Sequence, residues 1–281
     1  MTISLPTIPL KNGRRIPAMG LGTWQMGERQ EAEREEIESL RRAIDLGMTV
    51  IDTAEMYGEG RSEMMVAKAI ADRRDDVFLV SKIYPWNASF GGTIAACEAS
   101  LRRLGTDRLD LYLLHWRGPE LLADTVAAFE QLNTDGKIGG WGVSNFDTDD
   151  MEELYTVPDG DKCLVNQLLY NLSRRGIEYD LLPWCRDHDV AVMAYSPIEQ
   201  GRLLQHPGLI DMAKAHQATP AQIALAFLLK QDGVMPIPKT ANVERVAENR
   251  AAAELELTEA DRRVLDALFP PPITKMPLDM L

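Results

Sequence analysis

Cysteine is scarce. Cys97, Cys163 and Cys185 are scattered along 281 residues, too few and too far apart for a disulfide framework or a zinc site. Positive charge is in deficit as well: Lys and Arg number 30 against 43 Asp and Glu, a net charge of −13. That excludes a broad nucleic-acid or anionic-membrane surface, which needs clustered cations, while leaving room for one local basic pocket. No apolar run reaches membrane-span length, and the opening MTISLPTIPLKNGRR lacks the apolar segment of a secretory leader. With so few thiols, a reducing cytoplasm is the expected location. A G-x-G-x-x-G fingerprint is missing too, so a Rossmann mode of dinucleotide binding is not indicated. Neither an internal repeat nor a composition break divides the chain, which gives the expectation of one domain over residues 1–281.

What is present is an unbroken alternation. TIPLKNGRRIPAMG reads as a hairpin, with Asn-Gly as a two-residue turn between apolar stretches. Strand-like runs then follow at 19–22 (MGLG), 49–52 (TVID), 77–82 (VFLVSK), 109–116 (LDLYLLHW), 138–145 (IGGWGVSN), 163–167 (CLVNQ), 190–197 (VAVMAYSP) and 234–239 (VMPIPK). Several are almost wholly apolar, as strands covered on both faces should be. Helical periodicity lies between them. Ile37, Leu40 and Ile44 precede Gly47; Ile94, Cys97, Leu101 and Leu104 precede Gly105; Leu122, Val126, Phe129 and Leu132 precede Gly136. Thr219-Pro220-Ala221-Gln222 spells a capping box with proline at the first helical position. Eight strands alternating with helices predict an α/β fold, a (β/α)8 TIM barrel with an N-terminal β-hairpin, and about 250 residues is the usual size of that unit.

Polar residues collect at the predicted strand ends. Asp52, Lys82, His115, Asn145, Gln167, Tyr195 and Lys239 close strands two to eight in order, on the face where this fold keeps its chemistry. Singly, each has an ordinary explanation: Asp52 as a cap or loop acid, Lys82 as a snorkelling surface cation, His115 as a core histidine, Tyr57 as a packed loop aromatic. Together they explain one another. A lysine at the barrel mouth needs a counter-ion, and Asp52 ends the neighbouring strand. Beside that ammonium the phenolate of Tyr57 is expected to be favoured, lowering its pKa from about 10.

Asp52, Tyr57, Lys82 and His115 resemble the catalytic tetrad of the aldo-keto reductases. WGVSNF (141–146) resembles the second signature of that family and IPKTANVERVAENRAA (237–252) the third. DTAEMY, VSKIYPWN, ACEASLRRL and RGIEYDLLPWC are similar to small bacterial members that reduce methylglyoxal and related aldehydes. GMTVIDTA departs from the first signature in lacking the arginine that many members carry before the aspartate, which touches a packing detail and not the tetrad.

The resemblance implies a metal-free, monomeric, cytoplasmic, NADPH-dependent reductase of small aldehydes and α-dicarbonyls. Tyr57 would give the proton, and His115 would orient the carbonyl. Thr23, Trp24, Ser144, Asn145 and Gln167 would hold the nicotinamide end of the coenzyme, with Tyr195 stacked on its ring. SPIEQG (196–201), with Ser196, Pro197 and Gly201, would run along the pyrophosphate. Lys239, Thr240 and Arg245 would surround the 2′-phosphate, with Glu248 and Asn249 at the adenine. Trp24, Met56, Trp86 and Trp116 would form the substrate wall; Tyr84 serves that wall or plain packing equally well. The short tail and the short loop after Pro197 suggest an open pocket. Two other readings stay open on the residues alone: a coenzyme-sensing regulatory protein without turnover, and a barrel isomerase or lyase using Lys82 as a Schiff-base nucleophile.

Overall fold

The computed structural model describes residues 5–281, so residues 1–4 of the expected unit lie outside them. The chain opens on an antiparallel hairpin of β1 (Thr7–Pro9) and β2 (Arg15–Pro17), with Ile8 opposite Ile16. Its turn is one residue longer than expected. Leu10 N–H donates to Arg14 O at 2.8 Å and Gly13 N–H to Leu10 O at 2.9 Å, making Lys11, Asn12 and Gly13 a three-residue loop. Gly13 sits at φ +85°, the left-handed position that such a loop places at its last residue.

Eight strands follow: β3 (Gly20–Gly22), β4 (Val50–Asp52), β5 (Phe78–Ile83), β6 (Leu111–Leu114), β7 (Trp141–Ser144), β8 (Val165–Leu169), β9 (Ala191–Tyr195) and β10 (Val234–Pro236). Each pairs in parallel with its neighbour in chain order. The two ends of the sheet meet where Gly22 N–H donates to Pro238 O at 3.1 Å, giving a nearly closed barrel. Glycine suits β3 on both sides: a Cβ on Gly20 would lie 2.8 Å from Val50 O of β4, and one on Gly22 would sit tight at the seam, 3.2 Å from Ile237 O.

Helices α1 (Glu33–Asp45), α2 (Arg61–Ile70), α3 (Phe90–Leu104), α4 (Leu122–Thr134), α5 (Thr148–Thr156), α6 (Leu181–Asp187), α7 (Pro207–Ala215), α8 (Pro220–Leu229), α9 (Val243–Ala251) and α10 (Glu259–Leu268) accompany the strands. Their ends follow local chemistry. Gly105 stops α3 in the left-handed conformation, and the reciprocal Thr219–Gln222 capping box opens α8 with Pro220 behind it. One apolar cluster fills the space around the helices. A second unites Val80, Leu111, Leu113, Met193 and Met235 with Ile8, Leu10 and Ile16 of the hairpin. The hairpin therefore joins the barrel's inner core. Among the described residues no helix is long and apolar enough to cross a membrane.

Strand limits shift from those expected. Asp52 and Tyr195 do end their strands, but Ile83 follows Lys82 in β5, and Gln167 lies inside β8, which runs on to Leu169. His115 and Asn145 fall just past β6 and β7, and Lys239 beyond Pro236 at the end of β10. Pairing sets these limits, since a strand extends only as far as its neighbour supplies partners.

Candidate active site

The strand ends deliver the tetrad to one place. Lys82, wholly buried at 0% exposure, points its ammonium at both oxygens of Asp52 at 2.8 and 2.9 Å. It also donates to Thr53 O at 2.8 Å and to the Tyr57 hydroxyl at 3.1 Å. An ammonium has three N–H groups, and these partners use all of them. The tyrosine oxygen is thus an acceptor from Lys82, which leaves its own O–H free to donate elsewhere. Gln167 Nε2 donates to Asp52 Oδ1 at 2.8 Å, fixing the carboxylate from the other side.

Burial reverses the expected pKa of Tyr57. Desolvation raises it, the nearby Lys82 cation lowers it and Asp52 raises it again; the net direction is up. The sequence supplies the cation but not the depth at which the phenol sits. For Lys82, burial favours the neutral amine, yet Asp52 and Tyr57 overcome it and the pKa rises, so the ammonium persists. His115 lies beside them, its ring 5.8 Å from that of Tyr57 in an edge-on arrangement. Burial, reinforced by the Lys82 charge, holds its pKa well below the ordinary histidine value, so the ring is neutral at neutral pH. Its Nδ1 is buried without a hydrogen-bond partner.

A cleft of ≈ 580 Å³ opens above this floor, lined by Asp52, Tyr57, His115, Ser144, Asn145, Gln167 and Tyr195. Trp24, Met56 and Trp116 line it as well, as do Ser196, Pro197, Gly201, Lys239 and Arg245. Asn145 is held at both ends: its Nδ2 donates to His115 O at 3.2 Å and Ser144 Oγ at 3.1 Å, and its Oδ1 accepts from the Tyr195 hydroxyl at 3.0 Å. Its backbone takes φ +57°, a conformation asparagine tolerates better than most residues.

Several expected residues are not brought to the lining. Lys82 sits behind it. Buried Thr23 donates its hydroxyl to Asp52 O at 3.0 Å. Thr240 accepts from Asn242 N–H at 3.1 Å, and the Glu248 carboxylate accepts from the Thr219 hydroxyl at 2.7 Å, where it braces the start of α8. Asn249 is buried in α9. Trp86 is 58% exposed, stacked on Tyr84 at 4.4 Å and edge-on to Trp116 at 5.6 Å, so it backs the wall that Trp116 presents.

Sequence reasoning missed Gln25, Leu204, Met280 and Leu281, which all line the cleft. Gln200, inside the expected SPIEQG segment, lines it too. For the tail no local signal existed: Leu281 N–H lies 3.4 Å from the Tyr195 hydroxyl, across 86 positions. The pocket is consequently less open on that side than a short tail suggested.

Fold and site together define a (β/α)8 barrel with a tyrosine hydrogen-bonded to a buried lysine–aspartate ion pair at the C-terminal face. The aldo/keto reductase family model matches residues 18–269, and the chain belongs to that family. A methylglyoxal reductase of Escherichia coli is 51% identical over 271 residues, covering 95% of each chain. A glyoxal reductase of Bacillus subtilis is 36% identical over 263 residues, covering 93% of this chain and 92% of the other. The crystal structure of a Klebsiella pneumoniae aldo-keto reductase in complex with NADPH superposes with a TM-score of 0.97 at 50% identity, over 99% of this chain and 100% of that one.

Proposed function

We propose that this chain, acting as one barrel domain, reduces small aldehydes and α-dicarbonyls such as methylglyoxal to alcohols, with NADPH as coenzyme. The observation that carries the reading is the Lys82 ammonium bonded at once to Asp52 and to the Tyr57 oxygen on the floor of the cleft. The 51% identical methylglyoxal reductase and the NADPH complex of a 50% identical neighbour support the substrate class and the coenzyme.

The residues fit the coenzyme. Lys239 and Arg245 both line the cleft, and among the described residues neither side chain has an ion-pair partner. Two such cations in a chain of net charge −13 suit the 2′-phosphate. Ser144, Asn145 and Gln167 would hold the carboxamide, Tyr195 the ring, and the 196–201 turn the pyrophosphate, with Trp24 beside them. Thr23, Thr240, Glu248 and Asn249, which do not line the cleft, would act from behind it.

When bound, the nicotinamide supplies the hydride. Tyr57 gives its free proton to the carbonyl oxygen, and the phenolate left behind is met by the Lys82 ammonium at 3.1 Å. Acid catalysis of this kind contributes about 10²–10⁴-fold. Neutral His115 orients the carbonyl by a hydrogen bond, and Trp24, Met56 and Trp116 exclude water.

A sensing protein without turnover gains nothing from a fully buried lysine behind the tyrosine. A Schiff-base lysine needs a free neutral amine, whereas Lys82 is charged and its three donors are engaged. The test is NADPH oxidation with methylglyoxal, glyoxal, nitrobenzaldehydes and sugars, by wild type and Tyr57→Phe. Turnover confined to small carbonyls, lost by about 10²-fold or more in the variant with NADPH binding retained, is expected. Equal turnover by the variant removes Tyr57 from the chemistry. A monomer in the cytoplasm completes the reading, with sedimentation as its check.

A further inference from the structure

Glu199 stands in the loop after β9 with its carboxylate turned inward, 5% exposed. Its oxygens accept from Asn171 Nδ2 at 2.8 Å, Arg174 Nε at 3.2 Å and Nη2 at 3.1 Å, and Arg202 Nη2 at 2.8 Å. None of these groups belongs to the tetrad or to the Lys239–Arg245 pair. The backbone around Glu199 is unusual. Ser196, Glu199 and Gln200 all take left-handed φ values, +47°, +51° and +54°. Residues with a Cβ avoid that region, and hold it only where the surroundings over-determine it.

The surroundings here are those bonds. Asn171 Nδ2 also donates to Ser196 O at 3.0 Å, and Glu199 N–H to the same oxygen at 2.9 Å, which closes the turn from inside. Ser196, Pro197, Ile198 and Gln200 of this turn line the cleft. Arg174 reaches a second way, its Nη1 lying 3.4 Å from Asp279 Oδ1. The next residues, Met280 and Leu281, line the cleft too. One guanidinium thus holds two of its walls.

We propose that Glu199 is a positioning residue for the dinucleotide coenzyme: its buried carboxylate holds the 196–201 turn in the shape that receives the coenzyme and, through Arg174, ties that turn to the 279–281 tail. The inference rests on the assignment of that turn to the coenzyme under the proposed function. A carboxylate is required because N–H donors converge on it from three residues. An amide of the same size offers one accepting oxygen and sets its own NH2 against the donors. Burial alone would raise the Glu199 pKa, but the bonds from Arg202, Asn171 and Arg174 outweigh it, so the group is ionised at neutral pH.

The experiment is binding of NADPH and NADH to Glu199→Gln by tryptophan fluorescence, with stopped-flow release, steady-state kinetics and thermal unfolding alongside. A rise of about ten-fold in both Kd values is expected, with faster release and a raised coenzyme KM, while kcat at saturation changes much less. Arg202→Gln alters an exposed side chain, which the fold should tolerate, and should raise both Kd values by about three-fold. It serves as the deciding variant should Glu199→Gln not fold. Arg245→Ala separates the two readings: it should weaken NADPH alone, at the phosphate end, whereas Glu199→Gln should weaken both coenzymes. Kd values for both coenzymes within about two-fold of wild type in the folded variants overturn the proposal. So does a lowered Tm with unchanged Kd, which marks a purely structural ion cluster.

Discussion

Tyr57 is an acid whose environment works against its ionisation. Burial and Asp52 raise its pKa, and Lys82 opposes them. The lysine therefore does not hold the residue as phenolate in the resting protein; it moderates the cost of forming one as the proton leaves. The acid form should persist through and above the ordinary tyrosine range, so that reductive kcat stays flat through neutral and mildly alkaline pH. Lys82→Met removes the opposing charge, and the alkaline limb should move to higher pH while kcat drops by about 10²-fold or more. A pH–rate profile unchanged in position and height contradicts the coupling. His115 titrates in the other direction. Its folded pKa lies below the unfolded value of about 6.5, so below that pH the unfolded chain binds the proton more readily. Stability attributable to this ring is full above pH 6.5 and declines as pH falls, by at most ~1.4 kcal/mol per pH unit, until the folded pKa is reached. Urea unfolding at pH 7, 6 and 5 should show a steeper loss in wild type than in His115→Gln.

At the scale of elements, the segment after β5 shows how a short 3-10 turn, Pro85–Asn87, becomes part of the site. Glu55, two residues before Tyr57, accepts from Tyr84 N–H at 2.7 Å and Asn87 Nδ2 at 3.3 Å. The loop that carries Tyr57 therefore pins the turn that carries Trp86, and Trp86 in turn packs on Trp116. Trp116→Ala should raise KM for aromatic aldehydes more than for methylglyoxal, which has little apolar surface to lose at roughly 25 cal/mol per Å². Glu55→Ala should produce a weaker version of the same pattern by freeing the turn, with NADPH Kd unaltered. Equal KM changes for both aldehydes would place this aromatic group outside substrate contact.

Across the whole molecule, a field set by a net charge of −13 opposes an anionic coenzyme unless cations meet it locally. Lys239 and Arg245, both lining the cleft, are the cations proposed to meet it. Arg245→Ala should weaken NADPH by roughly ten- to a hundred-fold and leave NADH nearly unchanged. The preference for NADPH should also shrink as salt is raised, because both cations are exposed and screened. Titrations at low and high ionic strength check both points; equal wild-type affinities for the two coenzymes would contradict this reading of the 237–249 segment.

The sequence by itself determined the barrel and picked out Asp52, Tyr57, Lys82 and His115, which the fold brings together. Strand–helix alternation is a local pattern, written in apolar runs, caps and left-handed glycines such as Gly105; Asp52, Lys82 and His115 lie within or just after a strand, and Tyr57 five residues past β4. Tertiary structure decided what depends on partners far along the chain. Gln167 orients Asp52 from 115 positions away, and Leu281 reaches Tyr195 from 86. Glu248 turned to Thr219 instead of the cleft because the start of α8 stands beside it. The direction of the Tyr57 pKa belongs to the same group. A nearby cation can be read from residue order, but the desolvation that outweighs it is set by how completely the rest of the barrel excludes water, and no short stretch of sequence encodes that depth.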